Sequence, residues 1–136
     1  MRHEYKARPS EGAPNLMFLL DVPPGCGAPL HQHDEDGEAF YVLAGEITFI
    51  TPDNRTTAGP GAFFYAGPGH VHAFENRSQR PARALVVQTP GIEAEQFFEA
   101  MAAAHQRPDF DPMAEIPGIA DVFGITIHPP QVSAAA

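Results

Sequence analysis

The stretch from His31 to Glu46 reads HQHDEDGEAFYVLAGE, and its chemistry lies in His31, His33 and Glu38. Side chains two apart on a strand point the same way, so His31 and His33 share one side of the pleat while Gln32 faces the other. A further histidine, His72, belongs to a separate run, GPGHVHAFEN. A divalent transition metal takes several imidazole nitrogens and a carboxylate, converging from different strands so that coordination angles are met. Two histidines on one strand, a glutamate on its hairpin partner and a histidine on a third strand fit that demand.

Such a constellation needs strands to hold it. Between Leu16 and Gln88 the chain offers short apolar or alternating runs, LMFLLDV, EAFYVLA, EITFIT, AFFYAG, VHAFE and RALVVQ. Turn chemistry at PPGCGAP, DEDG, TPDN, AGPG, GPG and NRSQRP separates them, the pattern of a compact all-β sandwich or barrel. Barrel closure gives such strands neighbours on both sides. After QTPG, the segment IEAEQFFEAMAAAHQ spaces Ile92, Phe97, Phe98 and Met101 as an amphipathic helix, with Phe97 and Phe98 expected to pack on the outer face of the barrel. Prolines in DPMAEIPGIADVFGITIHPP are expected to limit that tail to short helical turns and a last strand at Ile125 to Ile127, and QVSAAA to fray. One domain is read, with an N-terminal arm (1–14), a barrel (15–90) and a C-terminal helix and tail packed on the barrel (91–136).

Gly25, His31, His33, Glu38 and Gly45, then Gly61, Gly69, His72 and Asn76, match the two signature motifs of the cupins, and the chain resembles that family from Asn15 to Gln88. Gly67 replaces the usual proline of the second motif and Pro68 follows it, a departure at no ligand position. The resemblance implies an all-β, double-stranded β-helix (jelly-roll) barrel with a short C-terminal helical segment. It makes His31, His33, Glu38 and His72 the ligands of one divalent transition metal ion per chain (Fe, Ni, Mn, Co, Cu or Zn), with positions left open for water, substrate or dioxygen. The EAFYVLAGE hairpin, PARALVV and the following helix are similar to single-domain bacterial cupins grouped with quercetin dioxygenases. That likeness implies a metal-dependent dioxygenase for a small, apolar or aromatic, enolisable substrate, with Glu38 as both ligand and general base. Two other functions stay open because one fold hosts many chemistries: a non-redox cyclase or isomerase of polyketide-like substrates, and a non-catalytic module that binds a small ligand.

With Glu38 pointing inward, alternation sends Phe40 and Val42 inward and Tyr41 and Leu43 outward, and Phe74 follows His72 to the interior. Phe18, Phe40, Phe49 and Phe74, together with Met17, are the expected pocket lining. No lysine or arginine occupies a motif position, which disfavours phosphosugars and dicarboxylates. His3, His70, His105 and His128 are expected in solvated or terminal positions, Asp34, Glu35 and Asp36 as a solvated hairpin tip, and Cys26 as a small buried hydrophobe.

A net charge of -9, with Lys6 the single lysine, leaves no basic stripe, so neither nucleic acid nor an anionic membrane surface is an expected partner. One cysteine cannot close an intramolecular disulfide, MRHEYKARPSEGAPN lacks a signal-peptide core, and no apolar run approaches the roughly 20 residues that span a bilayer. A reduced, cytoplasmic protein is expected. Outward Tyr41 and Leu43 point to a homodimer, with LMFLLDV as a candidate edge for pairing.

Overall fold

The computed structural model describes residues 1–129; the expected fraying of QVSAAA lies outside them. In chain order the elements are β1 (Arg2–Ala7), β2 (Leu16–Val22), β3 (Gly27–His33), β4 (Gly37–Ala44), β5 (Ile47–Ile50), β6 (Arg55–Ala58), β7 (Phe63–Ala66), β8 (His72–Glu75), β9 (Ala82–Thr89), α1 (Ile92–His105), α2 (Pro112–Val122) and β10 (Ile125–Ile127). They form two five-stranded antiparallel sheets, ordered β1-β2-β9-β4-β7 and β10-β3-β8-β5-β6. This is the expected jelly roll, closed at its end by two short helices.

Alternation builds the core between the sheets. Leu16, Phe18, Leu20 and Val22 of β2 are buried, and the intervening Met17, Leu19 and Asp21 are half-buried. Phe40 and Val42 of β4 and Ala84 and Val86 of β9 meet them from the neighbouring strands. Met17 therefore faces away from the interior, and its expected place in the pocket is corrected.

The expected N-terminal arm is a strand. Residues 2–5 of β1 pair with Asp21 through Phe18, with His3 opposite Leu20 and Tyr5 opposite Phe18, so both rings share the inner side of β2. Arg2, Glu4 and Lys6 take the outer side, which gave the segment the look of a polar arm. β2 is consequently flanked by β1 and β9 and is no edge.

Pro29 cannot donate to a ladder, and β3 accommodates it with a register shift between Ala28 and His31. Gly45 takes φ 70° at the turn from β4 to β5, where a Cβ would approach Pro81 O to 2.4 Å, so glycine alone fits. α2 runs through Pro117 and is longer than the helical turns expected. Pro112 in its first turn needs no hydrogen-bond donor there, and Pro117 sacrifices one internal bond.

Candidate metal centre

β3 presents His31 and His33 on its inner side, β4 presents Glu38, and β8 presents His72, which lies directly opposite His31 in the sheet. All four are buried, and one ligand atom from each falls within 4.8 Å of the others. Glu38 Oε1 stands 2.7 Å from His72 Nε2, 3.5 Å from His33 Nε2 and 4.0 Å from His31 Nε2. Three imidazoles thus surround one carboxylate oxygen.

The backbone chooses which nitrogen each ring turns to the centre. His31 Nδ1 donates to Pro29 O at 2.7 Å, and His72 Nδ1 donates to His70 O at 2.9 Å, so Nε2 is the nitrogen each ring turns to the centre; that of His72 donates to Glu38 Oε1, and a metal ion would take the place of its proton. Ligating histidines are commonly oriented in this way. Both ring nitrogens of His33 are buried without a hydrogen-bond partner among the described residues. Two unpaired buried nitrogens are costly, and a divalent ion at the centre would satisfy one of them. The residues therefore fit a transition metal, and the group could hold one.

Charge is balanced within the cluster. Burial pushes the Glu38 carboxyl up, but the imidazoles of His33, His72 and His31 outweigh it and hold Glu38 below the usual carboxylate range. Burial pushes His31 down to about 4, helped by His72 and opposed by Glu38. Burial also lowers His72, yet its bond to Glu38 wins and raises it above the ordinary histidine value.

Gln88 was not singled out from the sequence. It lies opposite Glu38 in the β4/β9 register, is 1% exposed, and donates Nε2 to Glu38 Oε2. The inward series Ala84, Val86, Gln88 in RALVVQ is the signal that identifies it. Its Oε1 is buried and unpartnered among the described residues.

The centre opens into a cavity of about 580 Å³. Phe18, Phe40 and Phe74 line it; Phe49 does not, because it stacks on Phe64 at 4.5 Å behind Phe40. Phe97 and Phe98, expected on the outer face of the barrel, instead close this cavity from α1. His3, expected solvated, lines it as well; His70 is exposed as expected. Asp36 is buried rather than a solvated tip, accepting the Gly91 N–H at 2.9 Å, while Asp34 and Glu35 are exposed. His105 is exposed at the rim of the cavity, and half-buried His128 meets Gln32 Oε1 at 2.9 Å. Cys26 is half-buried against the core.

Residues 18–88 match the family model described as Cupin domain. The chain is a cupin. It is similar to the oxalate-binding protein of Thermotoga maritima, 25% identical over 87 residues that cover 64% of this chain and 72% of that protein. Among solved structures it is similar to TT1209 from Thermus thermophilus, with TM-score 0.59, 26% identity, and coverage of 66% of this chain and 83% of that one. It is also similar to the polyketide cyclase RemF from Streptomyces resistomycificus, with TM-score 0.58, 27% identity, and coverage of 65% and 63%. In this cupin the motif asparagine is structural. Buried Asn76 donates to Val22 O and Arg80 O and accepts from Ser78, pinning the loop after β8.

Proposed function

We propose that this cupin is a metal-dependent enzyme that takes a proton from a small, uncharged, enolisable substrate with an apolar or aromatic body. The observation that carries the reading is the junction of the His/Glu cluster with a cavity walled by phenylalanines and containing no lysine or arginine among the described residues that line it. No guanidinium or lysine ammonium is placed along that wall to hold an anionic body, and the cationic groups near it are confined to its ends, at the His/Glu cluster and the N-terminal ammonium of Met1.

A divalent metal held by His31, His33, Glu38 and His72 would supply Lewis-acid stabilisation of a developing oxyanion. Glu38 is the base in this reading: the surrounding imidazoles keep its buried carboxylate ionised, and the Gln88 amide fixes its Oε2. The walls of Phe40 and Phe74 orient the flat body of the substrate over the cluster. An enol formed this way can close on a carbonyl of the same molecule, a cyclisation that needs no oxidant. Likeness to a protein described as a polyketide cyclase supports that outcome. Oxygenation of the enol, the outcome implied by the quercetinase-like hairpin, is the second reading, supported by a donor set that accepts redox-active metals.

The test starts with metal content by plasma mass spectrometry. About one metal per chain is expected in the wild type, and a much reduced content in His72→Ala. Deuterium exchange at the methyl group of 2-acetylnaphthalene then reads proton abstraction alone. Exchange is expected in the zinc-loaded protein without oxygen and is expected to fall at least a hundredfold in Glu38→Gln, within the range for general-base catalysis of about 10²–10⁴. Unchanged exchange in that variant would sink the base role, and substrate-dependent oxygen uptake would favour the dioxygenase.

A further inference from the structure

His3 lies on a mainly apolar stretch of the cavity wall, among Leu20, Phe18, Phe98 and the edge-on ring of Tyr5. Its ring nitrogens are not among the sealed, unpartnered polar atoms of the described residues, so they are open to whatever occupies the space beside them. The ring is held in place: it stacks on Phe18 at 4.6 Å with 26° between planes, and Phe98 meets it edge-on at 4.5 Å. Hydrogen bonds from histidine rings in the described residues are made by His31, His70, His72, His105 and His128, and none by His3. It lies outside the four-residue cluster. A fixed ring with uncommitted nitrogens, facing the cavity that the metal centre opens into, is built to meet what fills that cavity.

We infer that His3 is a second polar contact for the substrate, exchanging a hydrogen bond with an uncharged hydroxyl or carbonyl carried on the aromatic body. Burial, with the N-terminal ammonium, lowers its pKa to about 4, so the ring offers one N–H donor and one lone pair at neutral pH. This rests on the reading of an uncharged aromatic substrate and narrows it: one oxygen function reaches the metal centre, and a second reaches β1. Hydroxylated polycyclic or diaryl molecules have that shape; plain alkyl ketones do not.

The experiment compares equilibrium binding of 2-naphthol with that of 2,6- and 2,7-dihydroxynaphthalene to the metal-loaded protein. At least one second hydroxyl is expected to tighten binding to the wild type about tenfold, the ratio that about 1.4 kcal/mol gives. That gain is expected to fall below about twofold in His3→Phe and to be partly restored in His3→Gln, whose amide returns a donor and an acceptor. In protein labelled with 15N-histidine, the His3 ring resonances are expected to move with the dihydroxy probe and not with 2-naphthol. Equal gains in wild type and His3→Phe, an unmoved His3 ring, or no binding of either dihydroxy probe would overturn the inference. The enzyme reading fails separately. If 2-naphthol binds with the same affinity after metal removal and in Glu38→Gln, that reading falls, while the ratio between probes still reports on His3.

Discussion

Glu38 sits where burial alone would make a carboxyl reluctant to ionise, and three imidazoles reverse that preference. A second layer of hydrogen bonds fixes the reversal in space, since Pro29 O, His70 O and Gln88 each hold one member of the cluster by a single bond. In the metal-free protein these environments make stability depend on pH. His3 and His31 are held down to about 4 in the folded chain, chiefly by burial, against 6.5 for an ordinary histidine. As pH falls below 6.5 the unfolded chain takes up protons that the folded chain refuses, so their contribution is complete above 6.5 and is lost as pH falls through about 4. Glu38 adds loss in the same direction below the usual carboxylate range, whereas raised His72 favours the fold on the acid side and loses that contribution as pH rises. The melting temperature of metal-free protein is therefore expected to fall between pH 7 and 4.5. His3→Phe should flatten that slope, and parallel curves for the two proteins would contradict the assignment.

At the scale of elements, the metal motif was legible because ligation demands particular residue types at fixed strand parity, and His31, His33, Glu38 and His72 announce both at once. β1 was hidden by composition, because RHEYK alternates charge outward with His and Tyr inward and resembles a polar arm more than a strand. The helix was legible, but its docking site was not: an apolar stripe states that α1 is covered without stating by what. Two polar anchors decide it. Glu95 of α1 accepts bonds from Arg8 Nε at 2.7 Å and from Ser10 N and Oγ at 2.9 and 2.6 Å. Asp36, in the turn between the ligand strands, takes the N–H of Gly91 just before α1. Asp36→Ala would leave that buried N–H unpaired and is expected to destabilise the protein by about 1.5–3 kcal/mol. Faster amide exchange should be concentrated in α1. A stability change below about 0.5 kcal/mol, or exchange spread evenly over the barrel, would show that Asp36 does not anchor the helix.

The whole molecule carries an outer sheet face that its own described elements leave partly open. Met17 and Leu19 of β2, Leu85 and Val87 of β9, Ala39, Tyr41 and Leu43 of β4, and Phe63 and Tyr65 of β7 all take the outward parity. Tyr41, Leu43, Phe63 and Tyr65 are 45%, 43%, 65% and 57% exposed. A solvated sheet face ordinarily alternates to polar residues, and contiguous apolar patches beyond a few hundred Å² mark interaction surfaces. Charges begin only at the rim, where Arg83 pairs with Asp21 and Glu4, each at 3.1 Å. For a chain of net charge -9 a charged face would repel its own copy, and this uncharged one would not. The occupant predicted for it is a second copy of the chain, paired face to face about a twofold axis, so that Phe63 and Tyr65 of both copies are buried in one interface. The contact uses the sheet face in place of the β2 edge expected from the sequence, since β1 already occupies that edge. Sedimentation velocity should report a dimer for the wild type. Phe63→Glu combined with Tyr65→Glu should give a folded monomer whose metal content matches that of the wild type, because Glu38 and the His/Glu cluster lie on the opposite face of the sheet. A wild type that sediments as a monomer, or a double variant that remains dimeric, would reject this face as the interface.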